Sequence, residues 1–148
     1  MEVQPDFREL LALFNAHSVE YLIVGAYALA AHGSPRFTGD LDVYVRPTTE
    51  NAGKVLAALA DFGFGSMNLS ARDFQAPDRV VQLGVPPVRI DLLTSISGVS
   101  WDAAWEGRLS GVLGDVPVNY IGRAQYLANK RAAGRKKDLA DVEALGEE

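Results

Sequence analysis

The chain has 148 residues, 48% apolar and 22% charged, with a net charge of −5, which fits one globular domain with a single core and excludes a disordered chain or a general nucleic-acid coat. It has no cysteine and only two histidines, His17 and His32. That excludes disulfides, thiolate nucleophiles and multi-histidine zinc sites, and leaves oxygen ligands, hence magnesium or manganese, for any metal.

The opening Met1-Glu2-Val3-Gln4-Pro5-Asp6 lacks the basic start and apolar stretch of a signal peptide. No apolar run nears the ~20 residues of a membrane span, so the expectation is a cytoplasmic protein with no membrane partner. Phe7, Leu10, Leu11 and Phe14 recur at helical spacing within residues 6–18, after Pro5 and Asp6 as a start. Tyr21-Leu22-Ile23-Val24 reads as a short buried strand that stops at Gly25, and Ala26 to His32 as a helix closed by Gly33. A strand that ends in glycine and turns straight into a helix aims backbone N–H groups at whatever lies above the turn. Ser34-Pro35 breaks the chain, after which Leu41, Val43 and Val45 alternate with Asp40, Asp42 and Tyr44 in a period-2 strand ended by Pro47.

Thr48 or Thr49 can cap a helix over 50–62 with Val55, Leu56, Leu59 and Phe62 as its stripe. Ser70 to Gln75 reads as one helical turn or two. Val80 to Leu83 and Val88 to Leu93 read as a hairpin joined at Gly84 and Pro86-Pro87. Ser100 to Trp105 reads as a short helix and Val116 to Ile121 as a weak strand. Two helical segments, 123–133 and 136–145, are broken at Gly134. This order predicts a single domain over 1–148 of mixed α+β class: a small mixed β-sheet covered by helices on one face, with C-terminal helices packed on it.

Asp40 and Asp42 stand at i and i+2 on a strand, so they project side by side from one face. Adjacent carboxylates raise each other's pKa unless a cation lies between them. A half-exposed amphipathic strand has the same pattern, but two further features weigh against that reading. Asp91, in Arg89-Ile90-Asp91-Leu92-Leu93, is a lone acid in an apolar strand. A buried carboxylate needs a partner there, either a bound cation or an arginine. The turn at Val24-Gly25-Ala26 precedes the acidic strand closely enough to neighbour it in a sheet. That sets a helix start across from the carboxylates and suits a magnesium triphosphate.

From Leu22 to Asp42 the chain resembles the core motif of the polymerase-beta nucleotidyltransferase superfamily: a strand ending in glycine and a small residue, a helix, Asp-x-Asp on the next strand and a third acid on a later one. It is most similar to the small stand-alone bacterial proteins related to the nucleotidyltransferase toxins of abortive-infection toxin–antitoxin systems. The segment Asn129-Lys130-Arg131-Ala132-Ala133-Gly134-Arg135-Lys136-Lys137-Asp138-Leu139-Ala140-Asp141 is similar to the basic helix-turn-helix that closes those domains, and the likeness spans Phe7 to Leu145.

The resemblance implies a minimal nucleotidyltransferase fold in which Gly25 and Ala26 are the phosphate-loop pair and Asp40 and Asp42 ligate metal. It makes Asp91 the third acid, which ligates the catalytic metal and helps activate the acceptor hydroxyl. Arg36 and Thr38 match an Arg-x-Thr-x-Asp lead-in, whose cation and hydroxyl reach phosphate or brace the acidic strand. Lys130, with Arg135 or Lys137, reaches phosphate from the C-terminal helices. Many members carry serine or glycine after the loop glycine; Ala26 keeps the amide and lacks the hydroxyl.

The implied reaction transfers a nucleoside monophosphate from a nucleoside triphosphate such as ATP to a hydroxyl on an RNA end, a protein side chain or a small molecule, with magnesium or manganese as cofactor. An antitoxin or a second copy are the partners it leaves open. The alternative is a non-catalytic nucleotide- or partner-binding protein that retains the fold.

His17 and His32 each end a helix and are expected to bond a terminal carbonyl rather than phosphate. Trp101 and Trp105 share one helical face and read as core or interface. The basic run Lys130, Arg131, Arg135, Lys136 and Lys137 is interleaved with Asp138 and Asp141, so it reads either as a phosphate contact or as a solvated helix.

Overall fold

The computed structural model of the chain describes residues 4–35, 38–65, 68–85 and 88–146. Helix α1 (Pro5–Ala16) forms on the stripe of Phe7, Leu10, Leu11 and Phe14, each fully buried. Strand β1 (Tyr21–Val24) is buried along its whole length and runs directly into helix α2 (Gly25–Ala31). Strand β2 (Asp40–Val45) returns antiparallel to β1. Asn51 pins the start of β1 to the end of β2: its Nδ2 donates to the carbonyls of Glu20 and Arg46, both at 3.0 Å, and its Oδ1 accepts from Glu20 N at 2.8 Å.

Helix α3 (Thr49–Leu59) is capped by Thr48, whose Oγ1 accepts from Asn51 N at 3.2 Å. The α-helix ends at Leu59, short of the expected 62, and the chain continues in a wider turn over Ala60–Phe64, where Gly63 at φ 105° departs from helical geometry. One 3₁₀ turn at Ala71–Phe74 buries Phe74. Strands β3 (Val80–Val85) and β4 (Val88–Leu93) pair antiparallel as expected, although the connecting Pro86-Pro87 lies outside the described residues. Helix α4 (Trp101–Glu106) is capped by Ser100.

Strand β5 (Leu109–Leu113), which the sequence reading lacked, pairs antiparallel with β6 (Val116–Tyr120). Helices α5 (Arg123–Ala133) and α6 (Lys136–Ala144) turn about Gly134, whose left-handed φ of 69° suits glycine.

The six strands form one mixed sheet in the order β3-β4-β2-β1-β6-β5, with β2/β4 and β1/β6 parallel and the other neighbours antiparallel. This is the α+β class expected. Leu41, Val43 and Val45 point to one face and are fully buried in the core. The second face is not bare, as had been expected. Tyr44, assigned by alternation to the polar side of β2, is buried edge-on to Trp101 with ring centroids 4.9 Å apart, and its register partner Leu22 is buried too. The end of that face carrying Asp40, Asp42 and Asp91 stays open to a cleft.

The histidines tie elements together in ways the sequence did not specify. His17 Nε2 lies 2.7 Å from Asp61 Oδ2 rather than on a helix carbonyl, and His32 Nε2 donates to Ile121 O, 2.8 Å away, beyond the end of β6. Among the described residues no helix is long and apolar enough to cross a membrane.

Candidate functional site

The parallel pairing of β2 with β4 sets Asp40 beside Arg89 and Asp42 beside Asp91. Residues facing each other across a ladder share a face, so all four side chains leave the sheet on one side. On the other flank of β2, Val24 is the register partner of Asp42. The next residue, Gly25, turns at φ +69°, where a Cβ would lie 2.3 Å from Asp42 Oδ2. Glycine is required twice over here, for the left-handed turn and for the approach of the carboxylate. The opening N–H groups of α2 have no partner within the helix and lie beside Asp42. Thr38 secures the start of β2, its Oγ1 accepting from Asp40 N at 3.1 Å.

Burial, reinforced by the nearby Asp91 and Asp40, pushes the Asp42 carboxyl from 3.8 up to about 6, against the pull of Lys130 and Arg89. Asp91 is raised as well, mainly by burial, with Arg89 and a hydrogen bond with Asp42 opposing the rise. The guanidinium of Arg89 stands between two of the acids: Nη2 is 3.3 Å from Asp40 Oδ2 and 3.2 Å from Asp91 Oδ2. The two possible partners for an acid in an apolar strand therefore converge on one group, since Asp91 pairs with an arginine while remaining in the carboxylate cluster. Two atoms stay unsatisfied within it: Asp91 Oδ1 and Arg89 Nε are buried without a hydrogen-bond partner among the described residues. Each such group costs about 1–3 kcal/mol, a cost that a bound ligand would relieve.

The opposite wall comes from α5 and α6. Lys130 is held by two buried acids, with Nζ 3.4 Å from Asp138 Oδ1 and 3.6 Å from Asp141 Oδ2. Arg135 Nε donates to Asp138 Oδ2 at 2.7 Å. The basic run divides: Lys130 is half-buried against these acids, while Arg131, Arg135, Lys136 and Lys137 are exposed; α6 buries Asp138, Asp141 and Val142, and Leu139 is 46% exposed.

Between the walls lies a cleft of about 680 Å³ lined by Gly25, Ala26, Thr38, Asp40, Asp42, Asp91, Lys130, Arg135 and Lys137 together with Arg89, Asn129, Asp138 and Asp141. Every site residue singled out from the sequence is on this lining except Arg36, which lies outside the described residues. Sequence reasoning missed Asp138 and Asp141 as part of the site. The available signal was their i, i+3 spacing with Val142 one residue on, which places them on one helical face.

Among the described residues no three acidic or histidine side chains are gathered closely enough to enclose an ion. The donors are nevertheless the hard oxygens that magnesium and manganese prefer, and the unpartnered Asp91 Oδ1 offers one directly, so the residues present fit a divalent cation.

No protein-family model matches the chain, and its sequence matches no curated protein. Solved structures do resemble it. A candidate nucleotidyltransferase from Thermotoga maritima superposes with a TM-score of 0.59 at 12% identity, over 98% of this chain and 93% of that one. The lincosamide antibiotic adenylyltransferase LnuA, bound to lincomycin, gives 0.56 at 14% identity over 97% and 96%. ANT(2'')-Ia in complex with adenylyl-2''-tobramycin gives 0.52 at 15% identity over 94% and 84%. The chain shares the fold of these nucleotidyltransferases across nearly all of its length.

Proposed function

We propose that the chain is a nucleotidyltransferase that moves a nucleoside monophosphate from a nucleoside triphosphate to a hydroxyl acceptor. One observation carries this reading: Asp42 and Asp91 stand in register on adjacent strands, against the Gly25 turn, in a cleft whose far wall presents Lys130. In this reading the backbone N–H groups of Gly25 and Ala26 and the Lys130 ammonium hold phosphate oxygens. Thr38 braces Asp40, and Arg36 would supply a further cation to phosphate. Asp40, Asp42 and Asp91 would hold magnesium or manganese, which supplies Lewis-acid charge to the triphosphate when bound. The acceptor oxygen attacks the α-phosphorus in line, the bond to the bridging oxygen breaks and pyrophosphate leaves. Asp91, half-buried and raised in pKa, is suited to take the proton of the attacking hydroxyl.

The acceptor classes are a small-molecule hydroxyl, an RNA end or a protein side chain. The antibiotic and adenylylated antibiotic in two of the similar structures favour the first. The similarity of Asn129 to Asp141 to abortive-infection toxins favours the others, with an antitoxin or a second copy as partner. A second reading, a nucleotide- or partner-binding protein without turnover, draws support from Arg89 between Asp40 and Asp91 and from Ala26 in place of a hydroxyl residue.

The test is thermal unfolding with each nucleoside triphosphate, with and without magnesium, on wild type and Asp42→Asn. Ligand at ~100 times its dissociation constant adds about 2.7 kcal/mol, a shift of several degrees for a domain of this size. Magnesium-dependent stabilisation that disappears in Asp42→Asn supports transfer chemistry on these carboxylates. Stabilisation that persists unchanged in the variant moves the triphosphate away from them and favours the binding protein.

A further inference from the structure

Arg89 has a geometry that a structural ion pair does not require. A guanidinium that simply neutralises a carboxylate docks edge-on, with two parallel N–H bonds at about 2.7–2.9 Å. Here a single nitrogen, Nη2, is shared between Asp40 at 3.3 Å and Asp91 at 3.2 Å, and both contacts are long. Among the described residues Nε is buried without a partner, as is Asp91 Oδ1 on the acid that Nη2 touches. The side chain is 29% exposed and lines the cleft, so it can move into the cleft without unpacking the core. Its backbone is fixed independently, Arg89 N donating to Gly39 O at 3.1 Å. Arg89 therefore has an anchored main chain, a head divided between two acids and unused donor capacity.

We propose that Arg89 is a tethered counter-ion that yields its place between Asp40 and Asp91 to a divalent cation and then binds the phosphate of the incoming nucleotide. This rests on the nucleotidyltransferase reading above. Without ligand, the guanidinium offsets the repulsion among the clustered acids. A cation entering the same space meets a competing positive charge. Once the guanidinium has left, its planar fork of donors matches a phosphate group better than it matches two diverging carboxylates. The residue thus opposes metal alone and favours metal with triphosphate, which couples the two ligands. A purely structural arginine predicts losses of one sign only.

Calorimetric titration with Mn²⁺ alone, and with a non-hydrolysable triphosphate at saturating Mn²⁺, separates these cases on wild type and Arg89→Met. The expected result is opposite in sign: Mn²⁺ alone binds Arg89→Met roughly tenfold or more tighter, because the competing charge is gone, while the triphosphate binds roughly tenfold weaker. Should Arg89→Met fail to fold, Arg89→Gln, which keeps a planar hydrogen-bonding head without the charge, carries the same expectation. Unchanged or weaker Mn²⁺ binding in the variant, with binding in wild type, overturns the role of Arg89 and leaves the nucleotidyltransferase reading standing. No Mn²⁺ or triphosphate binding in either protein overturns both.

Discussion

Asp42 is pressed against the Gly25 turn on one side and faces Asp91 on the other, with burial and like charge together raising its carboxyl to about 6. Because this carboxyl holds its proton more tightly folded than unfolded, the linkage has a definite sign. The native state binds more protons between about pH 4 and 6, so ionisation of Asp42 lowers stability as pH rises through that window. The raised Asp91 pKa acts in the same direction. Asp42→Asn removes the largest part of the effect while keeping shape and hydrogen-bonding capacity. The expected outcome is that it abolishes nucleotidyl transfer yet melts several degrees above wild type at pH 7 in the absence of metal, with the two proteins converging near pH 4. Calorimetric melting across pH 4–7, paired with a pyrophosphate-release assay, checks both halves. Near-normal turnover would remove Asp42 from the site, and a lower melting temperature would mean that its carboxylate supports the fold.

At the scale of elements, α6 brings charge as well as apolar surface to its packing, because its buried face carries Asp138 and Asp141 beside Val142. Asp138 is fully buried, takes hydrogen bonds from Arg135 N at 3.2 Å and Arg135 Nε at 2.7 Å, and pairs with Lys130. The Arg135 bond holds its carboxyl below the usual range, with Lys130 assisting. Asp138→Asn is expected to cost about 3 kcal/mol at pH 7, since it leaves the half-buried Lys130 ammonium with less compensation. The depressed pKa places that contribution above the ordinary carboxylate range and removes it as pH falls below about 4, so urea denaturation should show the variant approaching wild type at pH 3. The spacing that puts Asp138 and Asp141 on one helical face was legible in the sequence, but not that this face is the covered one: Lys130, which pairs with both, lies eight residues before Asp138 across Gly134, and Leu139 is exposed. Strand β5 was illegible for the converse reason. It is an edge strand with only Leu113 buried, and Ser110 and Gly111 interrupt any alternation. What could be read was what depends on near neighbours alone: the period-2 burial of Leu41, Val43 and Val45, the cap at Thr48, and Asp91 as an acid where the pattern asked for an apolar residue.

For the molecule as a whole, the order of elements was readable because each switch of period is marked by glycine, proline or a capping residue, and the same architecture recurs in structures only 12–15% identical. What the sequence could not give is the cleft, which exists because two distant parts of the chain face each other: the open end of the β2–β4 surface and the α5–α6 pair. The second wall is fastened to the first by the burial of Tyr126, Leu127 and Val142 and by the Asn129 side chain, whose Nδ2 donates to Ser97 O at 3.0 Å. A triphosphate held as proposed spans the gap, from the amides of Gly25 and Ala26 to Lys130, and must restrain both walls together. Hydrogen exchange measures this directly, since opening free energies differ along the chain and a ligand raises those of the segments it bridges. With magnesium and triphosphate present, amides at 25–28, 38–42 and 129–138 are expected to gain protection in parallel, while those of the β5–β6 hairpin, on the far side of β1, stay unchanged. Protection confined to 129–138 would make the basic helices a separate anion site and detach them from the carboxylates. Protection confined to the strand side would remove Lys130 from the nucleotide.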